Sequence, residues 1–177
     1  MIVWTIGHSS RPFPEFVQLL KNNSIDRVVD VRSLPGSTKF PWFNKEVMPD
    51  ELEPYGIAYT HIIELGGRRN KSRTVDPRLN AGWKNDSFKN YADYTWELSF
   101  EDGLEKLLAL LRKSRVAYFC SEAVPWKCHR SILSDALTVR GIEVRHIIDL
   151  SEPKVHQITR FCQPDGTSLV YPSVGGV

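Results

Sequence analysis

Val116-Ala117-Tyr118-Phe119-Cys120-Ser121-Glu122-Ala123-Val124-Pro125-Trp126-Lys127-Cys128-His129-Arg130 is the stretch on which the reading of the fold turns. Its apolar run ends in a polar tip and predicts a buried strand over 116–120, and residues 129–140 have the spacing of an amphipathic helix. A second strand is predicted over 143–148. Ahead of both, residues 101–113 predict a helix with Leu104, Leu107, Leu108 and Leu111 on one stripe. Helix, strand, helix, strand is the order of parallel α/β sheets. In such sheets ligands bind where strand carboxyl ends meet the amino ends of the next helices. Cys120-Ser121-Glu122 and Cys128-His129-Arg130 therefore occupy the address of a site.

The same order recurs toward the amino terminus: a strand over 2–6 bounded by Gly7, a helix carrying Phe16, Leu19 and Leu20, and a strand over 27–31. Between the halves lies a stretch, about 33–100, rich in Pro, Gly and aromatics, with a strand expected over 57–65 and a helix over 89–98. A structureless loop of that length is uncommon in a compact domain, so it reads as a folded insertion, a lid over the crevice. The tail, 151–177, predicts a helix holding His156, as a structural residue, and Cys162, in the core, and then a Pro-Asp-Gly turn. The expectation is one Rossmann-like α/β domain spanning 1–177, three layers deep, with a mainly parallel sheet.

A chain of 177 residues, 41% hydrophobic and 25% charged, has the material for one proper core. Lys plus Arg number 23 against 21 Asp plus Glu, a net charge of +2, which excludes binding nucleic acid by overall charge and leaves any anion binding local. The opening Met1-Ile2-Val3-Trp4 has no basic leader, and no apolar run approaches the roughly 20 residues of a membrane helix, so a soluble cytoplasmic protein without membrane contact is expected. Three cysteines, an odd number in a chain this large, predict reduced thiols.

Three strand tips carry polar groups: Gly7-His8-Ser9-Ser10-Arg11, Asp30-Val31-Arg32 and Cys120-Ser121-Glu122. Gly7 permits a tight turn and close approach of backbone to a ligand, while His8 and Ser9 add a titratable ring and a hydroxyl. Alternatively, Ser9 or Ser10 caps the next helix and His8 is a satisfied loop residue. Asp30 and Arg32, two apart in an extended segment, point the same way. Either Arg32 forks onto a phosphate or carboxylate, or the pair is a salt bridge tying the insertion to the sheet. At the helix start, first-turn N–H groups and the helix dipole favour a thiolate at Cys128 or a bound anion, and Arg130 adds a cation. The alternative makes Cys128 a packing residue and Arg130 a surface charge. Glu122 is read as a general acid or base, as the holder of His129, or as a solvated carboxylate.

By residue type, His8, Cys120, Cys128 and His129 make a four-ligand zinc set. Their spacing matches no strong metal motif, and Cys128 and His129 are expected to leave the helix in different directions, so the site is read without a metal. A phosphatase or rhodanese loop needs an Arg about five residues after its Cys; Cys120 lies too far from Arg130, and Cys128 too near. The triphosphatase loop and the Gly-rich dinucleotide fingerprint are missing, so no cofactor is predicted. Gly66-Gly67-Arg68-Arg69-Asn70-Lys71-Ser72-Arg73, with Trp83, Phe88, Tyr91, Tyr94 and Trp96 after it, suits a single strand or a flipped base. It equally suits a solvated loop over an aromatic mini-core.

Taken together, Thr5-Ile6-Gly7-His8-Ser9, Asp30-Val31-Arg32 with Pro35 and Ser37, Leu65-Gly66-Gly67, and Cys120-x-Glu122 followed by Cys128-His129-Arg130 resemble the DUF488 family. The resemblance implies an α/β fold and a clustered polar site. It puts Gly7, His8, Asp30, Arg32, Gly66, Gly67, Glu122, Cys128, His129 and Arg130 on motif positions. The name denotes a domain of unknown function, so no substrate comes with it.

The residues themselves point to a hydrolase or group transferase acting on a phosphate-bearing ligand, a nucleotide or nucleic acid. Arg32 and Arg130 hold the anion, with Arg68 or Arg69 closing over it. Glu122 with His8 or His129 moves protons, Asp30 orients its neighbours, and Cys128 is the nucleophile of a covalent route. A non-catalytic nucleotide- or nucleic-acid-binding module is the alternative, and a metal-binding protein a further one.

Overall fold

The computed structural model describes residues 1–173. Its sheet has the order β3-β2-β4-β1-β5-β6, built from β1 (Ile2–Gly7), β2 (Arg27–Asp30), β3 (Ala58–His61), β4 (Val116–Cys120), β5 (Glu143–Ile147) and β6 (Lys154–Val155). The pairings from β3 through β5 are parallel, and β6 runs antiparallel to β5. β4 is buried at every position, so it needs cover on both faces.

Two sets of helices supply that cover. α1 (Phe13–Asn22) and α2 (Met48–Leu52) pack with Trp4, Ile6, Val28, Ala117 and Phe119 on one face. α3 (Asp86–Tyr94), α4 (Leu98–Leu111) and α5 (Arg130–Val139) pack with Val3, Val29, Val116 and Tyr118 on the other. Each fully buried Leu or Phe in these layers contributes about 1.5–3 kcal/mol. The direction of travel decides the face. From β1 to β2 to β3 the chain moves toward one edge with its helices on the first face; from β3 to β4 to β5 it moves back with its helices on the second. Right-handed crossovers require that change of side. β4 lies between β1 and β2, with its following helix on the face opposite to theirs. A crevice opens where these three strands end.

Residues 33–100 are less of an insertion than their composition predicts. β3 enters the sheet as its edge strand, while α2 and α3 belong to opposite layers. The strand expected over 57–65 ends at His61 and gives way to a 3-10 turn at Ile63–Leu65. The helix expected over 89–98 starts at Asp86, because Asn85 Oδ1 accepts the N–H groups of Ser87 and Phe88 at 2.9 and 3.4 Å.

The helix predicted in the tail is absent from its described residues. Lys154–Val155 pairs with β5 instead, and a hairpin of β7 (Gln163–Asp165) and β8 (Ser168–Val170) follows. Cys162 sits half-buried in a turn. Pairing wins over helix here because the open edge of β5 offers backbone partners, His156 N–H to Val144 O among them at 2.8 Å. Residues 174–177 lie outside the described residues.

His156 fastens the tail. Buried Asp135 of α5 accepts from His156 Nε2 (2.8 Å), Thr159 N–H (2.9 Å) and the Tyr171 hydroxyl (2.9 Å). With Nε2 donating, His156 Nδ1 accepts from His146 Nε2 at 2.9 Å. Burial first, then the charges of His156 and Arg130, pull His146 down to about 3, so it is folded in neutral. An unfolded histidine binds its proton near pH 6.5, so the unfolded state takes up more protons between that value and about 3, and stability rises with pH across the window. Urea denaturation at pH 7 and pH 5 should show the wild type losing about 2 kcal/mol that His146→Gln does not lose. Equal losses in the two proteins would contradict the assignment.

Candidate functional site

The ends of β1, β2 and β4 are laced together. His8 N–H donates to Cys120 O at 3.0 Å, Ser9 N–H to Ser121 O at 2.8 Å and Val31 N–H to Phe119 O at 3.0 Å. Above them lies a cleft of about 640 Å³. His8, Ser9 and Arg32 form one wall, Glu122, Cys128 and His129 another, and Gly67 and Arg68 part of the rim. The pleat sorts their chemistry by side. Asp30 and Arg32 project toward the α1 face and Cys120 toward the α5 face, so the cleft has a guanidinium wall and a thiol wall.

On the first wall Asp30, with no exposed surface, takes the Arg32 Nε and Nη2 groups at 2.9 and 2.6 Å and the Tyr59 hydroxyl at 2.7 Å. Arg32 Nη2 also reaches Phe43 O at 2.6 Å, so the pair does tie the 33–57 segment to the sheet. Arg32 Nη1 donates to His8 Nε2 at 3.2 Å; the proton of His8 is then on Nδ1, bonded to Ser9 O at 2.9 Å. Burial, then the Arg32 charge, pull His8 down to about 4, and its ring stacks on Phe43 at 4.2 Å. His8 is thus a neutral ring whose accepting nitrogen is already engaged. Ser9 turns the chain out of β1 with φ 47°, and neither Ser9 nor Ser10 caps α1, whose N-cap is Pro12.

On the second wall, Cys128 is extended (φ −141°, ψ 150°) after a 3-10 turn at Pro125–Lys127, and α5 begins only at Arg130. This overturns the expectation that Cys128 and His129 diverge. His129 Nε2 donates to Val31 O at 3.0 Å, which leaves Nδ1 as a lone pair 3.5 Å from Cys128 Sγ. Cys120 Sγ, Cys128 Sγ and a His129 ring nitrogen lie within 4.8 Å of one another, and His8 is outside this group. The neighbouring Cys120 thiol, with the charge of Arg130 assisting against burial, lowers Cys128, while Cys120 is raised. Gly67 packs on the His129 ring, where a Cβ would overlap Nδ1 and Cγ.

Several residues singled out by sequence stand behind the cleft. Arg130 is buried under it, donating Nη1 to Thr5 Oγ1 at 3.1 Å and Nη2 to Glu122 O at 2.5 Å. It is neither a surface charge nor a cleft-lining group. Arg69 also does not line the cleft: it donates to the carbonyls of Gly66 (2.8 Å), Ile63 and Glu64 (both 2.9 Å) and lies 3.7 Å over the Tyr94 ring. Glu122 does not hold His129; it is exposed and lines the cleft. Gly7 and Gly66 act through backbone proximity, Gly7 against Glu122 and Gly66 against Ser33. Sequence reasoning missed Lys39, Phe40 and Lys127, which line the cleft, and Tyr59, which completes the Asp30 shell. Lys127, next to Cys128, could have been found; the others arrive from sequence-distant segments.

These features define a parallel α/β protein with a crevice at the switch point of its sheet, walled by guanidinium on one side and thiols on the other. The chain belongs to the DUF488 family: the model of the domain of unknown function DUF488 matches residues 12–137, which takes in Asp30 through Arg130 and begins after Gly7, His8 and Ser9. No curated protein and no solved structure matches it. Among the described residues no helix is long and apolar enough to cross a membrane.

Proposed function

We propose that the cleft is the active site of a hydrolase or group transferase acting on a phosphate-bearing ligand, with a nucleotide or a nucleic-acid end as the class that fits. The observation that carries this reading is the Cys128–His129 pair opening onto a cleft that also contains Lys39, Arg68 and Lys127. All three cations are exposed, and among the described residues none is in an ion pair, so an anion can recruit them without breaking one. Phe40, with Lys39 Nζ over its ring, and Phe88, stacked on Trp83, add apolar ring surface of the kind against which bases pack. In a covalent route Cys128 Sγ attacks, His129 takes the thiol proton at Nδ1, and Glu122 serves the leaving group or the incoming water as acid or base. Asp30, Arg32 and His8 set the shape of the mouth, Arg130 supports the thiolate from beneath, and Arg69 braces the loop bearing Arg68.

A screen of nucleotides and short DNA and RNA tests the reading. Cys128→Ser and Glu122→Gln are each expected to keep the wild-type Kd and lower turnover by about 10²–10⁴-fold. Affinity should fall steeply with added salt as phosphate contacts are screened. Binding with no turnover in the wild type favours the non-catalytic module, and affinity indifferent to salt removes the phosphate.

A further inference from the structure

We propose that Cys120, Cys128 and His129 bind a thiophilic divalent metal ion of the zinc class, with the fourth coordination position open to the cleft. A Cys–His nucleophile needs one thiol, and this wall has two. Both are buried, and they come from different elements, the end of β4 and the residue two before α5. Zinc–sulfur bonds of about 2.3 Å and zinc–nitrogen bonds of about 2.0 Å at tetrahedral angles hold sulfur and nitrogen roughly 3.5 Å apart. Cys128 Sγ and His129 Nδ1 are already at 3.5 Å, and the trio as a whole lies within 4.8 Å.

The outer surroundings fit a ligand set as well. A metal-binding histidine characteristically donates its other ring nitrogen to a carbonyl or carboxylate, which fixes tautomer and orientation. Here Val31 O fills that place at 3.0 Å and turns the Nδ1 lone pair toward the sulfurs. Two thiolates and a neutral imidazole balance a divalent ion, and such soft donors select zinc over magnesium or calcium. Three protein ligands with one position left free is the arrangement of catalytic rather than structural zinc. Because all three ligands line the cleft, the free position faces the same space as Glu122. Metal binding stands independently of the phosphate reading; only the use of the open position rests on it. With the metal bound, Cys128 is a ligand and not the attacking atom.

Cobalt titration of the whole chain tests this. Protein stripped with chelator and kept reduced, with all three thiols verified by a thiol assay, is titrated with Co²⁺ alone. The expected result is thiolate-to-cobalt charge-transfer absorption that saturates at one equivalent and is erased by Zn²⁺. Cys120→Ser and Cys128→Ser should each weaken binding beyond the roughly 10–100-fold that changes outside the ligand set cost, whereas Cys162→Ser leaves it unchanged. No absorption from fully reduced wild-type protein with native circular dichroism overturns the proposal, whatever the variants do. A band that saturates at the wild-type cobalt concentration after loss of Cys120 or Cys128 overturns it too. So does peroxide oxidation that consumes two thiols in a chain that binds no cobalt, since the pair is then a dithiol. A cobalt band without turnover on any phosphate-bearing ligand supports the metal and defeats the hydrolase or transferase reading; turnover by reduced, chelator-stripped protein that gives no band does the reverse.

Discussion

Asp30→Ala is expected to cost about 3–5 kcal/mol of folding stability, the range for removing one partner of a buried ion pair. The alanine leaves the Arg32 guanidinium, 6% exposed, with only Phe43 O, His8 Nε2 and the weak Met48 sulfur within reach, and strips the Tyr59 hydroxyl of its acceptor. The charge cannot be discarded, because arginine does not deprotonate in proteins. Arg32→Met added to Asp30→Ala should therefore recover part of the loss, since the stranded charge and not the missing contact dominates it. Urea denaturation of the two single variants and the double variant measures this. A cost below about 1 kcal/mol for Asp30→Ala would mean that water reaches Arg32 and that the wall is not the closed network described above.

Gly7→Ala should be nearly as damaging, at about 3 kcal/mol or more, and for a different reason. A Cβ at position 7 would overlap the Glu122 carbonyl oxygen and fall 2.8 Å from Ala123 Cα, both backbone atoms that no rotamer change can move aside. The same carbonyl accepts from Arg130 Nη2, so shifting it also unseats a buried guanidinium. Gly36→Ala serves as the control: it lines the same cleft but has nothing within 4 Å of the added carbon, and should stay within about 0.5 kcal/mol of the wild type. If Gly7→Ala melts with the wild type, β1 and the Glu122 turn are not in close contact, and the mouth of the cleft is wider than described.

Much of the architecture was legible because burial leaves a short-range signature. The apolar run at 116–120 matches β4 residue for residue, and the strands at 27–31 and 143–148 are each one residue longer in prediction than in fact. Failures occurred where a distant partner outweighed local preference. The tail could have been helical on its own, yet the edge of β5 and the Asp135 carboxylate hold it extended. The strand expected over 57–65 was there as β3, but it was assigned to a lid and not to the main sheet because its pairing partner, β2, lies about 30 residues away in the chain, with Arg27 opposite Ala58. The polar tips could be identified from sequence, but their wiring could not. Arg130 is a cation at a helix start in any linear reading, and only the packing of α5 over Thr5 makes it a buried support.

From its sequence alone this protein was determined to be a parallel α/β sheet with reactive groups at the carboxyl ends of its strands, because side-chain periodicity and strand-to-helix order depend on neighbours a few residues apart. Tertiary structure alone decided that those groups divide into an Asp30–Arg32–His8 wall and a Cys120–Cys128–His129 wall. That division depends on the strand pleat, on the right-handed crossovers that put α1 and α5 on opposite faces, and on the extended backbone at Cys128. The pleat is a local pattern, but which strands and helices flank it is set by contacts between segments about 100 residues apart, such as Gly7 opposite Cys120 and His129 Nε2 on Val31 O, which no local pattern encodes.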